Sequence, residues 1–181
     1  WYTGSQIDPQ IKVETTTDNG DSKTLARGTD YQLEVIGDNI NKGNPTLRLT
    51  GLGAYAGSTR EIGFAIKPVD LSDASVKINM AASVDFLGDG ENVWPGDEKN
   101  KNLLTIMLGR YQLKQETDYI CVPEEFCWQP SMAIGRRYKL QIVAGTSGNF
   151  VGQAEKEYTI GNNFDVEITF AGGNSGPFVY T

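Results

Sequence analysis

The sequence predicts an all-β protein of two tandem β-sandwich modules, with a terminal strand from an adjoining repeat. Three observations predict it. Apolar and polar residues alternate with period two along several short segments, as in strands that bury one face and hydrate the other. Residues tolerant of positive φ separate these segments, and the 181 residues include 21 glycines, which suits a loop-rich β protein. One set of short signatures also occurs twice in the same order, the mark of a repeated structural unit.

The strands follow from the alternation. Ile11-Lys12-Val13-Glu14-Thr15 alternates cleanly, as do residues 31–35, 47–50, 76–80 and 166–170, and residues 138–143 for most of their length. β-branched and aromatic residues, which fit a pleated half-buried surface, are frequent at these positions. Residues 103–108 form an apolar run that is short and ends at Gly109, so it reads as a buried strand. No segment carries a sustained apolar stripe at helical spacing. Asp18-Asn19-Gly20-Asp21, Gly37-Asp38-Asn39, Asn41-Lys42-Gly43-Asn44 and residues 145–149 supply the turns. Short strands at a spacing of roughly ten residues point to β-sandwiches.

The repeat sets the boundaries. Leu25-Ala26-Arg27-Gly28-Thr29-Asp30-Tyr31 is matched 88 residues later by Leu113-Lys114-Gln115-Glu116-Thr117-Asp118-Tyr119. Gly53-Ala54-Tyr55-Ala56-Gly57 is matched 95 residues later by Gly148-Asn149-Phe150-Val151-Gly152, and Phe64-Ala65-Ile66 is matched 94 later by Tyr158-Thr159-Ile160. The rise in offset implies an insertion of about seven residues in the second copy, in the interval that holds Cys121, Phe126, Cys127 and Trp128. The expected organisation is a first module over 1–68 and a second over 69–160. Residues 161–181 then form the leading strand of a further repeat or a strand completing the first module. Val166 follows Val76 by 90 residues in a similar setting, and Phe178-Val179-Tyr180-Thr181 looks like Trp1-Tyr2-Thr3-Gly4. The chain therefore reads as a window from a longer array. Tyr31, Tyr55 and Phe64, with their counterparts Tyr119, Phe150 and Tyr158, are the expected core anchors.

These signatures resemble a repeat of large Gram-positive bacterial surface proteins. Its pattern runs Y-T-G, a Pro, an alternating strand, L-x-x-G-T-D-Y, an Asn-rich turn, G-x-G-x-Y-x-G and a closing F-x-I. The first copy carries Tyr2-Thr3-Gly4, Pro9, Leu25 to Tyr31, the 39–43 turn, Gly51, residues 53–57 and Phe64-Ala65-Ile66. The second keeps Pro95, Leu113, Thr117-Asp118-Tyr119, Gly148 to Gly152 and Tyr158-Thr159-Ile160, with Phe86-Leu87-Gly88 in place of the opening Tyr-Thr-Gly. The resemblance implies an immunoglobulin-like or β-grasp-like stalk or adhesin module, at the cell surface or secreted. It implies no catalytic residue and no cofactor.

Composition excludes several other classes. The net charge of −7 opposes nucleic-acid binding, which needs a basic surface. No run is long and apolar enough to insert in a membrane. Histidine is absent, which removes the usual general base at neutral pH. The carboxylate pairs Glu124 with Glu125 and Asp97 with Glu98 are adjacent, and neighbours on a strand point to opposite faces, so no enzyme is expected. The partners expected are neighbouring repeats and a host or cell-wall glycan or protein.

The candidate sites lie in the second copy. Cys121 and Cys127 flank a turn-prone stretch and are read as a disulfide stapling the inserted loop, with two unpaired thiols as the alternative. Trp94, Phe126 and Trp128 are the candidate binding residues, because exposed aromatics stack on sugar faces. The plainer reading is that Trp128 covers the disulfide and Trp94 packs under its loop. Asp85, Asp89, Glu91, Asp97 and Glu98 could hold calcium, but the spacing is not that of an EF-hand, and no metal site is assigned. Lys12, Lys77 and Lys139 alternate with apolar neighbours and should face solvent, which disfavours isopeptide crosslinks through them.

Overall fold

The computed structural model describes residues 1–85, 94–124 and 134–161. Phe126, Cys127, Trp128 and the expected strand at 166–170 lie outside the described residues, as does nearly all of the 161–181 segment. Among the described residues the chain is all-β, with no α-helix.

The first half contains a hairpin of β1 (Glu14–Thr16) and β2 (Ser22–Thr24). An antiparallel meander of β3 (Tyr31–Ile36), β4 (Thr46–Gly51) and β5 (Thr59–Gly63) follows. The second half runs through β6 (Val69–Asp70), β7 (Val76–Met80), β8 (Ser83–Asp85), β9 (Leu104–Leu108), β10 (Tyr111–Gln112), β11 (Tyr119–Pro123), β12 (Arg137–Ala144), β13 (Phe150–Val151) and β14 (Gln153–Gly161). It forms a three-stranded sheet in the order β10-β9-β7 and a four-stranded sheet in the order β11-β12-β14-β8.

Alternation decides which faces meet. On β12, Tyr138, Leu140 and Ile142 are buried while Arg137, Lys139 and Gln141 are exposed. On β9, Leu104, Ile106 and Leu108 are buried. These inner faces join Val76, Val84, Tyr119, Tyr158 and Ile160 in one apolar cluster. Tyr138 lies directly opposite Tyr158 across β12 and β14, with ring centroids 5.7 Å apart. Cross-strand aromatic pairs of this kind add to the stabilisation from burial itself.

The sequence repeat is also a geometric repeat. In the first copy the Asp30 carboxylate accepts from the Ala26 N–H at 2.9 Å, while the Asp30 N–H donates to the Ala26 carbonyl at 2.8 Å. In the second copy Asp118 accepts from the Lys114 N–H at 3.0 Å and donates to the Lys114 carbonyl at 2.7 Å. The N–H of the residue before the repeated Thr donates to the Tyr carbonyl at 2.7 Å in both copies, from Gly28 to Tyr31 and from Glu116 to Tyr119. The Asp thus closes a tight turn with its own side chain, an Asx-type device that launches the following strand. From there β3-β4-β5 recurs as β11-β12-β14 and β1-β2 recurs as β9-β10. Tyr31 pairs with Gly51 but Tyr119 with Ala144, so five residues of the insertion fall between β11 and β12.

Two expectations are corrected. Tyr55 is not a core anchor. It stands half-exposed with the Lys23 ammonium 5.6 Å from its ring centroid, in the cation–π range. Its counterpart Phe150 is buried, because Tyr2 reaches across to pack on it. Phe64 is half-buried at the margin of the core, whereas Tyr31, Tyr119 and Tyr158 are buried as expected. Second, the first strand covers only Glu14–Thr16 rather than residues 11–15. Strand pairing there is limited to the register with β2, so Ile11 and Val13 alternate without a ladder.

The matched turns differ in one residue that tests the conformational argument. Gly28 has φ +87°, and a Cβ there would meet nothing within 4 Å. Glu116 adopts φ +66°, the one non-glycine residue with positive φ among the described residues. A side chain in the left-handed region costs about 1–2 kcal/mol. Gly28→Ala is therefore expected to destabilise by about 1 kcal/mol. Glu116→Gly is expected to stabilise by up to about 1 kcal/mol. Urea unfolding midpoints of the two variants check both signs.

Candidate functional site at the junction of the two copies

Of the candidate binding residues Trp94 is described, while Phe126 and Trp128 lie outside the described residues. Trp94 is half-buried and packed against the core, and its indole N–H is buried with no acceptor among the described residues. This is the packing reading of Trp94. Asp97 is buried and turns its carboxylate on its own loop, accepting from the Lys99 N–H at 2.9 Å and the Asn100 N–H at 2.7 Å. Its lone pairs are thereby committed to the turn, while Glu98 points to solvent beside Lys101. No cluster of three or more His, Cys, Asp or Glu suited to a metal occurs among the described residues.

The disulfide expectation is not supported, and Cys127 lies outside the described residues. Cys121 carries a free thiol. It lies on the inward-facing row of β11 with Tyr119, opposite Ile142, and packs against the core. Its sulfur is 3.7 Å from where a Cβ on Gly96 would stand, so it is aimed at the packed interior. The spacing argument missed this because strand register, not loop length, sets the direction of a side chain. Burial pushes the Cys121 thiol up to about 12, with the Glu116 charge adding to it.

The structure concentrates its unusual contacts where the two copies meet. The Tyr2 ring, from the first copy, is wedged edge-on between Tyr111 at 5.8 Å and Phe150 at 5.4 Å, both from the second. The Tyr111 hydroxyl donates to the Asp118 carboxylate at 2.7 Å, and Asp118 is only 1% exposed. Burial first, and then this hydrogen bond, raise the Tyr111 pKa far above the usual phenol range. Asp118 therefore has two tasks, closing its own turn and anchoring the ring on which the first copy rests. Two residues after Tyr2, Gly4 has φ +76°, and a Cβ on it would overlap the Tyr111 ring, so only glycine fits.

A second set of contacts is polar. Asn149, 4% exposed, accepts from the Lys42 N–H at 2.8 Å and donates from its side-chain amide to the Asn41 side chain at 2.8 Å. Asp38 orients the Asn41 side chain by accepting from its N–H and its amide at 3.0 and 2.8 Å. The backbone completes the seam. The Val69 N–H donates to the Asn149 carbonyl at 3.0 Å and the Leu71 N–H to the Val151 carbonyl at 2.9 Å, so β6 runs parallel to β13.

Beside this seam a groove of about 840 Å³ is lined by Trp1, Pro68, Asp70, Asp73, Arg110 and Val151, among others. Trp1 is 73% exposed, with the Lys67 ammonium 5.5 Å from its ring centroid. The seam holds no paired nucleophile and base. What it can do is fix the relative placement of the two copies. Tyr2, Gly4, Tyr111 and Asn149 were not legible as a set, because a polar turn residue looks the same whether its own loop or a neighbouring repeat satisfies it.

Compared with protein-family models, curated proteins and solved structures, the chain matches none. No helix of the described residues is long and apolar enough to cross a membrane.

Two outcomes are expected. Asn149→Ala leaves the Lys42 N–H and the Asn41 side-chain oxygen without their partner and should cost about 1–2 kcal/mol, read from the urea midpoint. The pH dependence follows from Cys121 and Tyr119, both raised to about 12 chiefly by burial, from 9.0 and 10.0. A raised acid favours the neutral form in the folded state. Its contribution is complete below the unfolded value and is lost as pH rises toward the folded value. Stability should therefore fall between about pH 9 and about pH 12, with a shallower fall for Cys121→Ala. Near neutral pH, iodoacetamide should leave Cys121 unmodified until denaturant is added, read from a peptide cleaved between Cys121 and Cys127 at Glu124 or Glu125.

Proposed function

We propose that the chain is a pair of non-catalytic, immunoglobulin-like tandem modules of an extracellular bacterial surface protein, serving as a stalk or spacer or as an adhesin scaffold. One observation carries the reading: the two copies are joined by a shared core and a hydrogen-bonded seam. Tyr2 and Ile66 of the first copy belong to the same apolar cluster as Leu140 and Ile142 of the second. A flexible linker would leave relative domain motion as the default. A seam with buried aromatics, a buried Asn and a parallel strand pair instead favours a fixed angle between successive repeats. Such a fixed angle is what a spacer needs to hold a distal part away from a surface.

The acidic surface and the two-sheet packing of the second copy also support the reading. So does the placement of Lys12, Lys77 and Lys139, whose ammonium groups are outside the core. Lys12 pairs with Glu14 at 2.6 Å and Lys139 with Glu155 at 2.8 Å, while Lys77 donates to the Ala74 carbonyl at 2.7 Å. Exposed pairs of this kind contribute little to stability, as expected of a solvated flank.

The reading is tested by small-angle X-ray scattering together with a glycan and extracellular-matrix array. A spacer gives one rigid scattering envelope and no saturable ligand. Tyr2→Ala should broaden the envelope by loosening the seam. Saturable binding abolished by Trp128→Ala would replace the spacer with a ligand-binding module acting through residues 121–128.

A further inference from the structure

The strand pairing of the second copy sets how it meets a pull along the chain. β13 and β14 make one run from 150 to 161, interrupted only at Gly152, which takes φ +71°. Two earlier segments lie parallel to this run, one at each end. β6 pairs with its start, Val69 beside Phe150 and Asp70 beside Val151. β8 pairs with its finish, Ser83 beside Thr159, Val84 beside Ile160 and Asp85 beside Gly161. The other ladders between the named strands are antiparallel.

Parallel pairing decides the direction of load. The chain enters this unit at Val69 and leaves it past Gly161. A pull on the entry drags β6 backwards along its own axis. A pull on the exit draws the 150–161 run forwards along the same axis. The two forces therefore slide the strands past each other. Ladder hydrogen bonds run across the gap between strands, so under sliding they strain together before any one breaks. Forces applied at adjacent ends of two strands instead open the ladder one bond at a time.

The bonds that would be strained are short and enclosed. The Val69 N–H donates to the Asn149 carbonyl at 3.0 Å and the Leu71 N–H to the Val151 carbonyl at 2.9 Å. At the other end the Thr159 N–H and hydroxyl both donate to the Ala82 carbonyl, at 2.9 and 3.2 Å. Val69, Leu71 and Phe150 are buried around the first set, and Val84, Tyr158 and Ile160 around the second. A stretched bond that water cannot reach has no replacement partner and closes again. The ladders also act in succession. Between β6 and β8 the chain passes through β7, which pairs with β9 in the other sheet. Load released by β6 thus reaches β8, which again lies parallel to the exit strand.

We infer that the second copy is a tension-bearing element, in which β6 and β8 hold the 150–161 run in shear. It resists stretching between its own two ends far more than it resists pulling in other directions. The inference deepens the spacer reading and rests on it, because a spacer at a surface is loaded along its chain. It adds a role that a fixed angle between copies does not confer.

Single-molecule force spectroscopy on the full chain reads this direction dependence. In a Cys121→Ser, Cys127→Ser background, Lys67→Cys with Asn162→Cys places the handles so that both ladders are sheared. Lys67→Cys with Thr146→Cys places them at adjacent ends of β6 and β13, so that the first ladder is peeled. Lys67 and Thr146 are both exposed. Forced unfolding is governed by the barrier to unfolding, so at one loading rate the shear pair should yield abruptly and at several times the force of the peel pair. In urea without force the two chains should unfold at the same rate. Equal forces overturn the inference, as does gradual lengthening of the shear pair. Unfolding rates in urea that differ as much as the forces overturn it too, by showing that the substitutions and not the direction set the difference. A broad scattering envelope or a saturable ligand removes the spacer reading and leaves these forces unmoved, so the two failures are distinguishable.

Discussion

The constraint on which the rest of the structure depends is the smallness of each repeat. A small unit buries a smaller share of its apolar surface than a large one. This chain answers by letting neighbouring repeats share elements. The second copy gains β6 and β7 from the segment that follows the first, and it gains the Tyr2 ring as a wedge against Phe150 and Tyr111. The core around Leu140 and Ile142 closes as a result. The first copy has the same hairpin and the same meander, yet Val13 and Leu49 remain half-buried. The two copies thus act as an internal comparison: similar sequence pattern and similar strand order, with different burial among the described residues.

The Asp of the Thr-Asp-Tyr turn shows how one residue type serves two levels of organisation. In both copies its carboxylate satisfies a backbone N–H four residues earlier and so fixes the start of the meander. In the second copy the same carboxylate also receives the Tyr111 hydroxyl. A buried carboxylate is tolerated only when its lone pairs are engaged, and here the engagement extends to the ring that supports Tyr2. At the matching position 23 the first copy has Lys, which reaches toward Tyr55 on the surface instead. The turn is therefore generic to the repeat, and its connection to the seam is particular to the second copy.

Strand positions were largely legible because period-two alternation is a direct consequence of one-sided burial. Val76–Met80 was read to the residue, and the segments at 31–36, 46–51 and 137–144 within a residue or two. The repeat was legible because turn chemistry constrains identity: an Asp that caps a turn and a glycine at positive φ leave recognisable letters. Direction and partner were not legible. Cys121 was assigned to a loop staple because its neighbour in sequence suggested it, whereas the pleat of β11 sends its thiol inward beside Tyr119. Tyr55 was assigned to the core by analogy with Phe150, but what buries Phe150 is Tyr2, and no equivalent ring covers Tyr55 among the described residues.

The unequal burial of the copies also bears on where stability resides. A half-buried Val or Leu contributes only part of the roughly 1.5–3 kcal/mol available from full burial. The first copy, with several such residues, also makes contacts through the seam. The seam consists of the backbone bonds from Val69 and Leu71, the Asn149 amide and the Tyr2 wedge. These contacts tie the less buried first copy to the more buried second one. In such an arrangement the junction is not a passive linker between two finished domains but part of the core of each, and cooperativity between repeats follows from shared strands rather than from surface contact alone.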